Sequence, residues 1–420
     1  MIDVDFSKIE EQEFGTLPIL ILEDSNVDCY CTIDKDYASI IQQIHGPTFN
    51  LDYRTIYKQL GCRGFKKYLY EYLEKNNIRI IYFRNMPVSE MDLNFIERLR
   101  KDYFIFNYFG DVPEHFHNSY RYLSQALDLI LVDDYYDKFE FMIYGIESLL
   151  LPAAMDAQVY VPLGIGNKKY DVSFVGRLDR VGRKEFIAFL KQNGIKVEVF
   201  GWGSKNGVVD KKEMIEIFNN SKINLNFSGI SEVFKNKIES RIKQLKGHCQ
   251  EIALTKSFVL TEYSLIINRI FEIGSEIDVF YDKNDLLEKV NLYLKNEEKR
   301  KQMAQNAYER ALKDYDSRRL WKRLLQLIYY RAKNKKYRNS NVIIDNYFLE
   351  AICLSRIRYI LYFMRCFKFH LVWEEISASI KSRSIFLIPV VIIKQIVMIL
   401  RKLSRRFKKI LGLTGRPSKI

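Results

Sequence analysis

The 420-residue chain lacks the short motifs that usually reveal a catalytic site directly. It contains no GxGxxG, no Walker A sequence, no HExxH and no GxSxG. The dinucleotide fingerprint, the phosphate-binding P-loop, the zinc-protease helix and the serine-hydrolase elbow are therefore all absent. A functional interpretation has to come from strand ends and from the distribution of charge.

Cysteine is also sparse and carries no metal-binding pattern. The six cysteines include no CxxC pair and no other metal-ligand spacing. Met1 is followed by acidic, polar sequence rather than by the apolar segment of a signal peptide. These features favour free thiols in a reducing compartment, and we expect a cytoplasmic protein.

Long apolar runs are missing as well. The most apolar stretch, Ile385–Leu400, is interrupted by Pro389, Lys394 and Gln395. It is shorter than the roughly 20 residues that a membrane-spanning helix needs. The sequence therefore predicts no spanning helix.

Basic charge is concentrated in the C-terminal part of the chain. Residues 331–420 hold 20 Lys and Arg against 4 Asp and Glu, a balance of +16, which leaves −2 for the first 330 residues. The cationic run Arg401–Lys409 directly follows the apolar stretch. This combination favours an amphipathic helix on an anionic membrane surface over nucleic-acid binding. A helical hairpin that packs on the body of the protein is the alternative.

Apolar runs alternate with helical patterns in the first 330 residues, which predicts parallel sheets covered on both faces. The predicted strands of the first half are Leu17–Leu22, Ile78–Phe83, Phe104–Phe109 and Leu127–Val132. Those of the second half are Asp171–Val175, Lys196–Phe200, Lys222–Phe227, Ser257–Thr261 and Glu276–Phe280. A helix from Arg183 ends before Gly194, and Asp210 with Glu213 predicts a capping box.

These patterns predict an α/β protein in which a doubly wound domain follows another α/β domain, with a helical basic extension. The expected bounds are 1–160 for an N-terminal domain, 161–330 for a second domain and 331–420 for the extension. Residues 331–338 are expected to be a solvated linker.

One segment of the second half resembles a known family. Residues 246–251 read Lys-Gly-His-Cys-Gln-Glu, and the strand that follows ends in Thr261-Glu262-Tyr263. The segment resembles CgeB-like glycosyltransferases of the group-1 type, in which Lys-Gly-Arg-x-Phe-Glu leads into a strand ending in Thr-Glu/Asp-Tyr. The resemblance covers roughly residues 120–325. It implies the GT-B architecture of two Rossmann-like domains, with the nucleotide-sugar donor in the C-terminal domain and the acceptor in the N-terminal domain.

Two arginines follow the first strand of the second domain. Arg177 ends that strand and Arg183 opens the next helix. Two guanidinium groups at one strand end can stabilise the charge of a leaving diphosphate without a metal. Group-1 enzymes carry Gly-Arg followed by Lys about six residues later, and Arg183 occupies the position of that Lys. Solvated surface arginines are the alternative.

The resemblance implies further donor-binding residues. Glu251 matches the ribose-binding glutamate, Lys246 would neutralise phosphate, and His248 stands where the family carries Arg. Thr261, Glu262 and Tyr263 would line the sugar or diphosphate side of the cleft. The alternative is that they form only a solvated turn.

Candidates for acceptor chemistry are weaker. Asp111 follows the strand Phe104–Phe109 and could serve as a base or as a hydroxyl ligand. A turn-capping role is the alternative. His45, before Gly46-Pro47, is a second candidate. Asp3-Val-Asp5 spells the D-x-D of metal-dependent glycosyltransferases of another fold, but no strand precedes it, so no metal site is expected.

The sequence thus predicts a metal-independent glycosyltransferase without a cofactor, using a nucleotide diphosphate sugar as donor substrate. Its acceptor would be an envelope glycan or a lipid-linked glycan at the inner face of the membrane, with no nucleic-acid partner. A nucleotide-sugar epimerase on the same fold is one alternative. Such an enzyme needs acid/base carboxylates and histidines in one cleft, whereas His248 is the only histidine of the second domain. A non-catalytic scaffold or coat protein is another, and nucleotide affinity would distinguish it from an enzyme.

Overall fold

A computed structural model describes residues 17–24, 32–84, 92–110, 112–180, 182–229, 243–338, 340 and 342–397. The candidate Asp111, the Asp3-Val-Asp5 sequence and the basic run Arg401–Lys409 lie outside these residues.

Eleven strands of the described residues form two parallel sheets. The first sheet has the order β2-β1-β3-β4-β5-β6, and the second has the order β11-β10-β9-β7-β8. The strands of the first sheet are β1 (Ile19–Glu23), β2 (Thr48–Asp52), β3 (Ile80–Arg84), β4 (Phe104–Phe109), β5 (Leu129–Val132) and β6 (Leu149–Leu150). Those of the second sheet are β7 (Tyr170–Val175), β8 (Val197–Phe200), β9 (Ser221–Asn226), β10 (Val259–Glu262) and β11 (Asp278–Phe280).

Helices connect the strands and cover both faces of each sheet. The helices of the first domain are α1 (Thr32–Ile44), α2 (Tyr53–Lys75), α3 (Leu93–Leu99), α4 (Val112–His115), α5 (Arg121–Leu123) and α6 (Tyr135–Ile143). The second half contains α7 (Arg183–Gln192), α8 (Lys211–Asn219), α9 (His248–Leu254), α10 (Ile267–Ile270), α11 (Lys283–Lys295) and α12 (Glu297–Asp314). The last helices are α13 (Ser317–Lys333), α14 (Asn346–Arg365), α15 (Phe369–Lys381) and a segment at Ser384–Val397.

Most of these elements follow from the sequence pattern. Both faces of the central strands are buried, so each reads as a continuous apolar run. The predicted capping box is present at the start of α8, where Asp210 and Glu213 exchange side-chain to backbone hydrogen bonds.

The order of the strands places a switch point in each sheet. In the first sheet, β2 and β3 lie on opposite sides of β1, and in the second sheet β8 and β9 lie on opposite sides of β7. Connections leave in opposite directions at such a point, so a crevice opens beyond the carboxyl ends of the strands. The crevices lie beyond β1 and β3 and beyond β7 and β9.

The chain returns to the first domain after the second sheet is complete. The Met155 N–H donates to the Tyr315 carbonyl at 3.0 Å, and the Ser317 N–H donates to the Met155 carbonyl at 2.9 Å, so the two crossings run side by side. Helix α13 then packs on the first sheet, where the buried Trp321 ring lies 5.1 Å from the ring of Tyr37.

The prediction that residues 331–338 form a solvated linker is wrong. Lys335 donates to Asp128 Oδ2 at 2.8 Å and to the Tyr103 carbonyl at 2.6 Å. Further along, the Tyr337 hydroxyl donates to Glu97 at 2.9 Å. The segment binds the first domain because polar groups of that domain provide partners that the local sequence does not reveal.

Helices α14 and α15 also dock on the first domain. Tyr57 of α2 donates to Glu375 at 2.6 Å, and Arg356 forms a 2.5 Å ion pair with the same carboxylate. Gly61 interrupts α2 with a φ of 69°, and a Cβ at this position would lie 2.7 Å from the Leu371 side chain. The positive φ favours glycine at this position, and the close approach of α15 leaves little room for a side chain there.

Among the described residues, no single helix has the length and apolarity to cross a membrane. Two consecutive helices, Phe369–Lys381 and Ser384–Val397, reach the necessary length and apolarity only when they are taken together. They are bent by 91° relative to each other.

Candidate functional site

Arg183 lies at the switch point of the second sheet. Its Nη1 donates to the Arg177 carbonyl at 2.9 Å and its Nη2 donates to the Phe227 carbonyl at 3.4 Å, so one guanidinium joins the ends of β7 and β9. The side chain is buried, and it packs near the rings of Phe174 and Phe227. The sequence predicted a guanidinium at this strand end, and the structure places it at the carboxyl ends of β7 and β9.

The positive charge of Arg183 has no carboxylate within salt-bridge distance among the described residues, and its Nε has no hydrogen-bond partner there. Burial, together with the nearby Arg180, lowers the pKa of Arg183 to about 10. The group remains charged at neutral pH. The charges of Glu262 and Asp179 act in the opposite direction, but neither carboxylate forms a direct ion pair with Arg183. A buried cation without a direct ion pair among the described residues is the type of group that an oxyanion stabilises.

Arg177 is placed differently. Its Nε and Nη2 form a bidentate ion pair with Asp179, at 3.1 and 2.9 Å, and about half of its side chain is exposed. The hydrogen bonds from Arg177 lower the pKa of Asp179. Arg177 would have to exchange Asp179 for a phosphate in order to bind a donor.

Glu262 joins the next pair of strand ends. Its Oε2 accepts hydrogen bonds from the Ser228 N–H at 3.1 Å and the Gly229 N–H at 3.2 Å. Its Oε1 pairs with Lys243 at 2.9 Å. The carboxylate thus holds the chain that follows β9 against the end of β10.

The neighbours of Glu262 differ in exposure. Thr261 is fully buried and accepts a hydrogen bond from Asn226 at 3.0 Å. Tyr263 is half-buried, and its ring lies 5.1 Å from that of Tyr281. Of these three candidates, Tyr263 is the one whose side chain is partly accessible.

A close backbone contact between the segments that follow β7 and β8 fixes the edge of this crevice. Gly201 follows β8 with a φ of 107°, and a Cβ on it would lie 2.3 Å from the Gly176 carbonyl oxygen. A residue with a side chain would push the ends of β7 and β8 apart.

Glu251 is buried and already has two partners. Its Oε1 accepts a hydrogen bond from the Tyr160 hydroxyl at 2.9 Å, and its Oε2 pairs with His248 Nδ1. Burial alone would raise the pKa of Glu251, but the charge and hydrogen bonds of His248 and the hydrogen bond of Tyr160 hold it below its usual range. The predicted Glu251 and His248 are brought together by the three-residue spacing on α9, and Tyr160 comes from the domain crossing.

Lys246 lies towards the N-terminal domain. Burial raises the pKa of Asp134 and of Asp137, and the positive charge of Lys246 opposes both shifts. Asp137 accepts a hydrogen bond from Gln244 at 2.5 Å, and Asp134 accepts one from the Leu245 N–H at 3.3 Å. The segment before α9 therefore joins the two domains through the carboxyl end of β5.

His45 lies at the opposite edge of the first sheet. Its Nε2 is 2.9 Å from the Leu17 carbonyl oxygen, and residue 17 precedes β1. His45 therefore lies at the amino ends of the strands. Ligands of parallel sheets bind at the carboxyl ends, so His45 lies on the side of the sheet away from the crevice.

Sequence reasoning missed two acid–arginine pairs at the switch point of the first sheet. Arg84 ends β3 and pairs with Glu23, which ends β1, and Arg54 pairs with Asp24 at 2.8 Å. A charged residue directly after a buried apolar run was the available signal.

The comparisons with known proteins agree with this geometry. Residues 180–326 match a family model described as glycosyl transferase-like. No curated protein sequence is a match.

Solved structures with a similar fold cover most of this chain. HepE from Anabaena, in complex with UDP-glucose, has a TM-score of 0.53 at 13% identity, over 76% of this chain and 100% of its own. A glycosyltransferase from Rickettsia africae has a TM-score of 0.56 at 10% identity, over 76% and 99%. Sucrose-phosphate synthase from Thermosynechococcus elongatus has a TM-score of 0.54 at 11% identity, over 76% and 100%.

At these identities the similarity establishes the fold. The predicted GT-B architecture of two Rossmann-like domains is confirmed, with a helical C-terminal region added to it. Within it, residues 180–326 are the part that is similar to the glycosyl transferase-like family.

Proposed function

We propose that the protein transfers a sugar from a nucleotide diphosphate donor, bound at the switch point of the second sheet, to a glycan or lipid-linked acceptor. The observation that carries this proposal is the buried Arg183, which joins two strand ends and has no direct ion pair among the described residues. A leaving diphosphate develops negative charge, and a cation fixed in place before the reaction stabilises that charge without reorganisation. The glycosyl transferase-like match and the UDP-glucose complex of HepE support it.

The finer assignment to CgeB-like enzymes is part of the proposal. It rests on Lys246, His248, Glu251 and the group from Thr261 to Tyr263. Glu251 would bind the ribose hydroxyls by exchanging its present partners, Tyr160 and His248, for them.

A substitution of Arg183 tests the donor site. We expect Arg183→Lys to weaken binding of a nucleoside diphosphate by about 1.5–3 kcal/mol, because lysine retains the charge but cannot reach both strand ends. Isothermal titration, starting with UDP, measures the change. The exposed neighbour supplies the matched control, Lys184→Gln, which should bind within about twofold of wild type. Equal affinity of Arg183→Lys and wild type would reject the site.

We further propose that transfer needs no divalent metal. Arginine supplies the positive charge, and the described residues contain no group of three or more metal-ligating side chains. Activity should survive EDTA. Complete loss of turnover that is restored by magnesium or manganese would contradict this part of the proposal.

The proposed location is the inner face of a membrane, reached by the C-terminal extension. Large apolar side chains at the turn between α14 and α15 are exposed, Phe367 by 81% and Trp373 by 70%. We call this surface the apolar tip; its members are Leu361, Met364, Phe367, Phe369 and Trp373. Arg365 and Lys368 lie in the same turn. Apolar side chains beside cations suit the surface of an anionic bilayer.

The double variant Phe367→Ser and Trp373→Ser should lose most binding to liposomes that contain anionic lipid. High salt should release only part of the wild-type protein, since apolar burial is insensitive to salt while each Lys or Arg contributes about 1 kcal/mol. Tyr330→Ser removes an exposed aromatic side chain from α13 and serves as the control. Equal sedimentation of the double variant and the control, or sedimentation with DNA instead of liposomes, would overturn the membrane proposal.

A further inference from the structure

Arg84 lies at the switch point of the first sheet, the counterpart of the position that Arg183 occupies in the second. Glu23 and Arg84 are paired residues at the ends of β1 and β3, and Nη1 of Arg84 bonds the Glu23 carboxylate. Arg84 is buried, with 4% of the residue exposed. The topology therefore places a buried guanidinium in the crevice where this domain would bind a ligand.

The part of the chain that the structure describes offers no partner to the other edge of the Arg84 guanidinium. Among the described residues, neither Nε nor Nη2 makes a hydrogen bond. Nε and Nη2 share one side of the planar group and donate in parallel, which matches the two oxygens of a carboxylate or a phosphate.

Three other arginines of this chain use this same edge for an oxyanion. Each donates from Nε and Nη2 to the two oxygens of one carboxylate, at 2.8–3.2 Å: Arg100 to Glu97, Arg177 to Asp179 and Arg318 to Asp156. In Arg84 the edge is buried, and the described residues provide no such carboxylate for it. An oxyanion would restore the missing hydrogen bonds.

We infer that Arg84 binds an acidic group of the acceptor, a phosphate or a carboxylate. The inference rests on the proposed function, because that function makes the first domain the acceptor side. Glu23 holds the guanidinium through Nη1, and its negative charge next to the site weakens the attraction for the anion. The Asp24–Arg54 pair lies at the end of the same strand, with the Asp24 side chain fully buried.

Two small probes test the inference on the full-length protein. Methyl phosphate represents a phosphate acceptor and methyl β-D-glucuronide a uronate acceptor, and titration calorimetry measures both. We expect one probe to bind the wild-type protein, and Arg84→Lys to weaken that probe by about tenfold or more, since a bidentate fork is replaced by a point charge. The probe that responds identifies the source of the acidic group.

A second variant changes affinity in the opposite direction. Glu23→Gln removes the competing negative charge and should tighten binding of the same probe, so the test does not depend on the folding of Arg84→Lys alone. Probe binding that is equal in wild type, Arg84→Lys and Glu23→Gln would overturn the inference, as would no binding of either probe. A signal lost in Arg183→Lys but retained in Arg84→Lys would belong to the donor site and would also overturn it.

The two proposals fail separately. UDP affinity should be the same in Arg84→Lys and wild type, because Arg84 belongs to the first sheet. Arg84-dependent probe binding in a protein that binds no nucleoside diphosphate would refute the proposed function and leave the anion site standing.

Discussion

Glu375→Ala is expected to lower the free energy of unfolding by about 3–5 kcal/mol, the cost of removing one partner from a buried ion pair. Glu375 is fully buried and bonds both Arg356 and the Tyr57 hydroxyl. Burial alone would lower the pKa of Arg356, whereas Tyr57 and Glu375 raise it above its usual range. Without the carboxylate, a buried guanidinium would lack its counter-charge.

Urea unfolding measures this change. The adjacent Glu374→Ala is the matched control, since Glu374 is half-buried and accepts only a 3.4 Å bond from the Arg63 N–H among the described contacts. A double variant, Arg356→Met with Glu375→Leu, should recover much of the loss, because apolar residues can replace a buried pair. If Glu375→Ala unfolds at the same urea concentration as Glu374→Ala, the extension is not an integral part of the fold.

Glu251→Ala is expected to produce the second large effect, a loss of stability of about 3–5 kcal/mol. The substitution leaves the Tyr160 hydroxyl and His248 without their buried acceptor. His248→Ala should lower the stability by less than Glu251→Ala does, because Tyr160 keeps its hydrogen bond to the Glu251 carboxylate. A Glu251→Ala protein that unfolds like wild type would contradict the buried pairing, and unchanged nucleotide affinity in a folded variant would contradict the ribose assignment.

The contribution of Glu251 should also depend on pH in a defined direction. Its pKa is lower in the folded chain than in the unfolded chain, where a glutamate titrates near about 4.3. The stabilisation is therefore complete above the unfolded pKa and is lost as the pH falls through the lower, folded pKa. The difference in stability between wild type and Glu251→Gln should shrink on acidification below about pH 4.3, and a difference that grows instead would contradict the assigned shift.

The sequence predicted the central strands and α8 well because their signals are local. Runs such as Phe104–Phe109 are buried on both faces, and the Asp210 capping box spans four residues. The edge strand β2, Thr48–Asp52, is only partly buried and shows no apolar run, so it was not recognised.

The contacts that were missed join distant parts of the chain. Tyr57 and Glu375 are separated by 318 positions, and Tyr160 lies 91 positions from Glu251. The pairing of His248 with Glu251 follows from helical spacing, whereas its burial against Tyr160 depends on how the domains cross. His45 could not be assigned to an edge of the sheet from its sequence neighbours alone.

The most direct test of the central claim is donor binding by the full-length protein. Thermal unfolding should be followed with UDP-, GDP-, ADP-, dTDP- and CMP-sugars. At about 100 times the dissociation constant, a donor stabilises the fold by about 2.7 kcal/mol. We expect at least one diphosphate-linked sugar to raise the unfolding midpoint by several degrees, and CMP-sugar, with its single phosphate, to have little effect. If no diphosphate-linked sugar raises the midpoint, or if CMP-sugar raises it equally, the proposed diphosphate site at Arg183 is contradicted.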